Sequence, residues 1–365
     1  MNKISHTRFL TILAVALGIL LLNSCQKEFT ITAKSNDANM GTVAGSGVYT
    51  KGTIVHLEAM PATGCQFEKW DDGNTDNPRT ITVTSDANYT AVFNIEGGGD
   101  PSSKCEFSVS VTQKVLFAPG NLQWSATGSH TVAGGGTAAG TWRFAPNQWD
   151  TIGAGNKNIS STYTDWIDLF GWATSGYNDI YPYMNSKTNS DYGNTQNIMG
   201  NRDWGIYNAI YNSKTNTTDT PGTWRTMSIY EWTYLLETRS TVSSIRYAKG
   251  NVHGINGLII VPDDWSTTIY SLKNTNSATA DYTSNTISTA DWEKMESLGC
   301  VFLPAAGYRD GTSVYGVGST GEYCSTTCDE DAYVFHLGFI SSNLYPSYRY
   351  IRSNGRSVRL VKNVK

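Results

Sequence analysis

The chain has little charge and little proline for its length. Lys, Arg, Asp and Glu make up 16% of its 365 residues, against roughly 25% in an average globular protein, and only 10 residues are proline. The formal net charge of −4 comes without the clustered basic face that nucleic-acid binding usually requires. No Gly-rich phosphate loop and no dinucleotide fingerprint is present, so nothing in the sequence indicates nucleotide chemistry.

Catalytic signals are equally scarce. The five histidines form no convincing Ser–His–Asp order, and a paired-carboxylate hydrolase would need two acids that the sequence does not place in one cleft. Glycine (35), tyrosine (21) and tryptophan (11) are abundant instead. The aromatic residues argue against disorder, and the polar remainder is typical of β-rich extracellular domains. We therefore predict no catalytic residue.

The N-terminus has the order of a lipoprotein export signal. A basic start precedes an apolar run, Phe9 to Leu22, of signal-peptide length that is too short for a confident membrane span. The run ends in Leu-Asn-Ser-Cys at 22–25, which resembles the bacterial lipobox. Residues 1–24 are therefore predicted to be a signal peptide, and Cys25 to be lipidated. The alternative is an ordinary secreted protein cut near Ser24.

The residues after Cys25 predict where the protein is anchored. Gln26 is not the aspartate that marks inner-membrane retention in many lipoproteins. Residues 25–28 resemble the charged tether of surface-exported Gram-negative lipoproteins, and more than one acyl chain, such as palmitate, makes a stable anchor. We therefore predict a surface-exposed protein anchored in the outer membrane of a Gram-negative bacterium, with no nucleic-acid partner.

Residues 29–94 have the pattern of a small all-β domain. FTITAKS and IVHLEAMP alternate apolar and polar residues as half-buried strands do, and CQFEKW, TITVT and NYTAVF follow. GTVAGSGVYTKGTIVHLEAMPATGCQFEKWDDG and the closing YTAVF resemble the bacterial B-repeat known from internalin and many surface proteins. The resemblance implies a β-grasp-like spacer. A Gly/Pro/Ser linker, residues 95–104, separates it from the remainder.

Residues 105–365 are predicted to form a second, larger domain. Ser228 and Ser288 each stand three residues before an acidic residue and open an apolar stripe, which predicts two capped helices. The Gly-rich stretch 128–140 is predicted to be a loop. Residues 151–222 form a long irregular region rich in Trp, Tyr and Asn, and loops of such length are usually packed or functional.

Five motifs in this domain occur in a recognisable order. They are WRTMSIYEWTYLLETR, VFLPAAGYRDG, GEYCSTT, AYVFHLGF and NGRSVRLV. The set resembles the formylglycine-generating-enzyme-like branch of the C-type-lectin fold, found in many bacterial surface proteins. It implies an α+β domain with two helices and long loops, in which Arg225, Glu231 and Arg309 are structural. Arg356 departs from the pattern, because relatives often place an aromatic residue there.

The remaining cysteines and acids leave two metal alternatives open. With Cys25 set aside, the five left are an odd number, which argues against a disulfide framework; they are Cys65, Cys105, Cys300, Cys324 and Cys328. The enzyme of the superfamily binds copper through a cysteine pair, and Cys324 and Cys328 lie in the corresponding stretch. Their spacing is one residue short, and acidic CDEDAY replaces the basic context.

Calcium, the cofactor of many animal C-type lectins, is the second alternative. Their Glu-Pro-Asn, Gln-Pro-Asp and Trp-Asn-Asp signatures are absent here, and the acids at 329–331 fit a solvated loop better than a metal site. We therefore predict no metal site and no cofactor, with copper and calcium as the alternatives.

The functional prediction falls on the segment from Ser341 to Ser353, which we expect to be a loop between two strands. The candidate ligand-binding residues are Asn343, Tyr345, Tyr348, Arg349, Tyr350 and Arg352. Tyrosine gives a large contact area at low entropy cost, and aromatic faces suit sugar rings. The alternative is that Tyr348 and Tyr350 simply pack on the following Asn-Gly hairpin.

The sequence therefore predicts a non-catalytic surface lipoprotein. A B-repeat stalk would carry a C-type-lectin-like head that binds a glycan or a protein, as an adhesin does. The alternatives are a copper-dependent enzyme of the formylglycine-generating type and a structural surface or pilus-associated subunit.

Overall fold

The computed structural model describes residues 27–38, 40–62, 65–95, 105–184, 197–329 and 333–364. The chain divides into two compact units, Met1–Pro101 and Ser102–Lys365. The predicted signal peptide, Cys25 and nearly all of the predicted linker lie outside the described residues. No helix within the described ranges is long and apolar enough to cross a membrane.

The N-terminal unit is built from strands in two sheets. The strands are β1 (Glu28–Ser35), β2 (Gly41–Ala44), β3 (Gly47–Thr50), β4 (Ile54–Pro61), β5 (Cys65–Trp70), β6 (Arg79–Thr82) and β7 (Ala87–Ile95). One sheet has the order β3-β1-β7-β5, with β1 and β7 parallel, and the other has the order β2-β4-β6. Every second residue of β1 and β4 is buried, as the alternation predicted. Leu57, Trp70 and Phe93 are fully buried between the strands.

The larger unit is mostly strand. Its strands are β8 (Phe107–Ser108), β9 (Lys114–Phe117), β10 (Leu122–Thr131), β11 (Thr137–Phe144), β12 (Ile210–Asn212), β13 (Thr217–Asp219), β14 (Tyr247–Val252), β15 (Ile255–Ile260), β16 (Thr286–Ile287), β17 (Val301–Pro304), β18 (Tyr308–Asp310), β19 (Ser313–Tyr315), β20 (Thr320–Cys328), β21 (Tyr333–Ile340), β22 (Asn343–Ile351) and β23 (Val361–Asn363). Its described α-helices are α1 (Trp204–Tyr207), α2 (Ile229–Thr233) and α3 (Thr289–Ser297). A π-helical segment (Tyr234–Thr238) continues α2. Short 3₁₀ helices lie at Gly153–Lys157, Tyr177–Asp179, Gly200–Arg202 and Tyr282–Ser284.

Both predicted helices are confirmed, because their signals are local. The hydroxyl of Ser228 accepts from the N–H of Glu231, and the Glu231 carboxylate accepts from the N–H of Ser228 at 2.7 Å. Ser288 caps α3 by accepting from the N–H of Asp291. The buried sides of the helices pack into the core through Trp232 of α2 and through Trp292 and Met295 of α3.

The strands of the larger unit form several small sheets around two apolar clusters. The sheet orders are β10-β11-β12-β13, β16-β14-β15-β17, β18-β19, β20-β21-β22 and β23-β9-β8. Pairing of β23 with β9 joins the two ends of the unit in one sheet. One cluster centres on Trp232, Leu258 and Leu337, and the other on Trp142 and Trp204. The β20-β21-β22 sheet contributes side chains to both clusters, and β22 is its edge strand.

The prediction that residues 128–140 form a loop was wrong. β10 and β11 pair as a long hairpin through this stretch, with a register shift between Ser125 and Ser129. Gly128 takes a positive φ of 74° at that irregularity, a conformation that glycine adopts readily. Gly128 therefore serves a bulged strand, whereas the glycines at 134–136 lie in the turn between β10 and β11.

The prediction of a loop between Ser341 and Ser353 was also wrong, because strand β22 occupies most of this segment. β22 pairs antiparallel with β21 from Asn343 to Ile351. The predicted Asn-Gly hairpin does not form either: Gly355 bridges Arg309, and the following strand, β23, pairs with β9. These pairings join residues far apart in the chain, which a local turn signal does not encode.

Candidate functional site

Three tyrosines stand side by side on the edge strand β22. Tyr345, Tyr348 and Tyr350 are 40%, 40% and 39% exposed. The ring centroids of Tyr345 and Tyr348 are 5.2 Å apart, and those of Tyr348 and Tyr350 are 6.2 Å apart with the planes 11° from parallel. A register shift opposite His336 and Gly338 lets tyrosines three residues apart share one face. We call these three residues the tyrosine row.

Of the other three predicted ligand-binding residues, Arg349 lies apart from the tyrosine row, and Asn343 and Arg352 contact the fold through their backbone carbonyls. Arg349 points to the opposite face of the strand, since successive side chains alternate. Its guanidinium pairs with Asp329 and lies 4.3 Å from the ring centroid of Tyr333. Asn343 and Arg352 give backbone carbonyls to the fold: that of Asn343 accepts from Lys249, and that of Arg352 accepts from the N–H of Trp172.

A buried polar cluster lies directly beneath the tyrosine row. His336 is fully buried, and its ring meets that of Tyr348 edge-on with 5.3 Å between centroids. Nε2 of His336 lies 3.4 Å from Oε2 of Glu322, which accepts from Nε of Arg356 at 2.9 Å. Glu322 comes from β20, His336 from β21 and Arg356 from the segment after β22. We call Glu322, His336 and Arg356 the polar cluster.

The electrostatics of the polar cluster give it no net charge at neutral pH. Burial raises the pKa of Glu322, and the charge of Arg356 opposes that shift. Burial, reinforced by the nearby Arg356 cation, lowers the pKa of His336 well below its usual 6.5, so the imidazole is neutral. The cluster therefore holds a Glu322–Arg356 pair beside a neutral ring.

A second tyrosine pair extends the aromatic surface. Tyr308 and Tyr315, from the β18–β19 hairpin, stack with 5.5 Å between centroids. Burial and then the nearby Glu322 and Tyr350 raise the pKa of Tyr308. Glu322 and Tyr350 therefore both lie close to Tyr308.

Lys249 fixes the turn that leads into β22. Its buried ammonium donates to four carbonyl oxygens, those of Ala278 (2.8 Å), Ile340 (2.7 Å), Ser341 (3.1 Å) and Asn343 (3.0 Å). Burial lowers its pKa to about 8, so it remains largely protonated at pH 7. This one side chain thus ties the β21–β22 turn to the sheet of β14.

The residues that resemblance marked as structural make bonds within the frame, as predicted. Arg225 forms a two-pronged pair with Glu231, at 2.6 and 3.0 Å. Arg309 is fully buried and donates to the carbonyls of Leu169 and Gly311. Neither arginine is therefore a candidate for ligand binding.

The cysteine pair of the copper alternative lies on β20. Cys324 is a buried free thiol opposite His336, and burial raises its pKa to about 12. Cys328 is half-buried opposite Val334, beyond a register shift. In the part of the chain that the structure describes, no group of three or more His, Cys, Asp or Glu residues is arranged to hold a metal ion. Of the acids considered for calcium, Asp329 pairs with Arg349, and the next two lie outside the described residues.

Sequence reasoning missed Glu322 and Lys249, and it did not place His336 in the binding site. The available signal was a charged or titratable residue at an inward position of an otherwise apolar strand, as in GEYC and VFHLGF. Arg356 had been noted only as a departure from a family pattern. Its burial against Glu322 supplies the reason that an arginine is accommodated there.

Comparison with known families identifies the N-terminal unit. Residues 31–97 match the family model of the divergent InlB B-repeat domain. The matched stretch is similar to B-repeats, and we call it the B-repeat. The match confirms the resemblance of the N-terminal unit to the B-repeat. The resemblance of the larger unit to the C-type-lectin fold stays a prediction. No curated protein and no solved structure matches the chain.

The B-repeat contains an acidic loop, 71–76, with the contacts of an ordinary turn. Asp72 pairs with Arg79 through both oxygens, at 2.7 and 2.6 Å. The side chain of Asn74 accepts from the N–H of Asp76. The Arg79 contact lowers the pKa of Asp72, so its charge is already matched within the B-repeat.

Proposed function

We propose that the chain is a non-catalytic surface lipoprotein whose larger unit binds a glycan or a protein through the tyrosine row. The observation that carries the proposal is a stack of exposed tyrosines on a sheet edge, where proteins more often place charged side chains. Such rings give rigid contact area at low entropy cost.

The edge strand favours recognition by side chains over pairing with another strand. Pro346 lies in the middle of β22 and lacks the N–H that an added strand would bond. The ladder is also irregular opposite His336 and Gly338. Both features discourage edge-to-edge pairing and leave the rings as the contacting groups.

In this proposal the N-terminal segments attach the larger unit to the cell surface. Cys25 carries the lipid anchor in the outer membrane, and the B-repeat serves as a spacer between the anchor and the C-type-lectin-like head. The order of the export signal and the B-repeat match at residues 31–97 support this arrangement. The proposal requires no metal and no cofactor.

The proposal is tested by removing the side chains of the tyrosine row. The purified full-length chain, held in detergent, is applied to a glycan array and used to capture surface proteins of candidate host cells. Replacing Tyr345, Tyr348 and Tyr350 by Ala should weaken the captured interaction at least tenfold. Tyr211→Ala is the matched control, because Tyr211 is 37% exposed on a strand of another sheet. Equal binding by wild type, triple variant and control would refute the site.

A further inference from the structure

Several buried polar atoms beneath the tyrosine row lack a hydrogen-bond partner among the described residues. Neither ring nitrogen of His336 makes a hydrogen bond of good geometry, although Nε2 lies 3.4 Å from Oε2 of Glu322, and Nη2 of Arg356 makes none either. Two side-chain oxygens in the turn before Arg356 also lack a hydrogen-bond partner: Oγ of Ser353 and Oδ1 of Asn354. Buried polar groups in native proteins are nearly always hydrogen-bonded to protein or to ordered water, so these atoms have hydrogen-bonding capacity to offer to water or to a ligand hydroxyl group.

Gly338 leaves room beside these atoms. It pairs with Glu322 on one side and with Tyr345 on the other. A Cβ built on Gly338 would lie 3.6 Å from Cβ of Tyr348 and 3.8 Å from Nε2 of His336, which are ordinary contact distances. The space, which we call the Gly338 gap, therefore takes one carbon or oxygen atom between the imidazole and the tyrosine row.

The polar cluster is reachable from the aromatic surface. The side chain of Glu322 is 12% exposed, whereas those of His336 and Arg356 are 0% and 1% exposed. Glu322 also lies near Tyr308, which in turn lies near Tyr350. Glu322 is thus the one partly exposed member of the polar cluster that a ligand on the tyrosines can meet.

The chemistry of the polar cluster favours a neutral, hydroxyl-bearing ligand. The Glu322–Arg356 pair has no net charge and His336 is neutral, so neither an anion nor a cation gains a matching charge. The unpartnered atoms include a donor on Arg356 and an imidazole with one donor and one acceptor, and a hydroxyl group both donates and accepts. The neighbouring rings offer flat faces for the apolar side of a sugar ring.

We propose that the tyrosine row stacks against a neutral sugar residue that places one hydroxyl group in the Gly338 gap, against His336 and Glu322. The inference rests on the proposed function and narrows its ligand to neutral carbohydrate. Glu322 accepts from the sugar hydroxyl, and Tyr348 forms the wall against which the ring packs.

The test uses the full-length chain and an array of oligosaccharides built from neutral hexoses, from uronic or sialic acids, and from amino sugars. The best neutral oligosaccharide is then titrated by calorimetry into wild type, Gly338→Ala, Glu322→Gln, Tyr348→Ala and the control Tyr211→Ala. Gly338→Ala fills the gap at ordinary contact distances, so its thermal unfolding midpoint should match that of wild type. Its affinity should fall at least tenfold, as should that of Glu322→Gln.

The outcomes separate this inference from the proposed function. If Tyr348→Ala loses binding while Gly338→Ala and Glu322→Gln stay within twofold of wild type, the tyrosine row is the site and the gap is not part of it. If wild type binds only charged oligosaccharides or none, neutral carbohydrate is refuted, and capture of a protein by the same chain would still support the proposed function. If every variant binds as wild type does, both proposals fail.

Discussion

Replacing Lys249 by Met should destabilise the larger unit while keeping its packing. The two side chains have similar length and volume, so the substitution removes the ammonium and leaves the aliphatic stem. Four carbonyl oxygens then lose their donor, three of them in the turn between β21 and β22. Lys249 itself is fully buried, so water does not replace the ammonium without local opening.

The magnitude follows from two opposing contributions. Hydrogen bonds to a charged group contribute about 1.5–3 kcal/mol each, and the three N–H groups shared among the four carbonyls therefore contribute roughly 4.5–9 kcal/mol before costs. Burying the ammonium costs several kcal/mol, and the pKa of Lys249, lowered to about 8 by burial, has the same origin. The half-buried turn carbonyls also regain some water. A net loss of about 3 kcal/mol is therefore expected, or roughly 6–12 °C in the unfolding midpoint of a unit this size.

Tryptophan fluorescence during guanidinium or thermal unfolding isolates the relevant transition. All tryptophans except Trp70 lie in the larger unit, so the signal reports chiefly that unit, with one contribution from the B-repeat. Lys273→Met is the matched control: the residue is exposed, and surface substitutions usually change stability by less than about 0.5 kcal/mol. A Lys249→Met variant within 1 kcal/mol of wild type would show that the four contacts do not hold the turn.

Two further predictions concern the buried titratable groups. Because the pKa of His336 is held well below 6.5, the unfolded chain takes up a proton below pH 6.5 that the folded chain does not. Wild type should therefore lose stability toward pH 5 by up to about 1.4 kcal/mol per pH unit, and His336→Phe should lose less; equal guanidinium midpoint shifts would contradict this. The buried thiols of Cys300 and Cys324, whose pKa values burial raises, should resist iodoacetamide until guanidinium unfolds the chain. Mass spectrometry of the labelled peptides checks this, and rapid labelling of folded Cys324 would disprove it.

The helices and the B-repeat strands were predictable because their signals are local. Ser228 and Ser288 mark the helix starts through contacts within one turn of chain. The alternation in β1 and β4 needs only the period of a half-buried strand. Strands β2 and β3 were missed because their short Gly-rich sequences resemble turns.

The candidate site was only half predictable, because its polar cluster is assembled from three segments that are distant in the sequence. The tyrosines of β22 could be singled out by residue type, but which of them share a face depends on the register shift opposite His336. That shift brings Tyr345 onto the face of Tyr348 and Tyr350, which cannot be derived from alternation. Glu322 and Arg356 meet through pairing of β20 with the last segment of the chain, a contact without any sequence periodicity.

The low charge of the chain bears directly on what its surface recognises. Arg239, Arg309, Arg356 and Arg359 are almost completely buried and bond to carbonyls or carboxylates of the frame. A planar guanidinium suits this task, because it donates to several acceptors in fixed directions. These arginines therefore brace the domain and add little to its surface potential. The exposed rings beside a polar cluster without net charge favour ligands that stack and share hydroxyl hydrogen bonds over charged ligands.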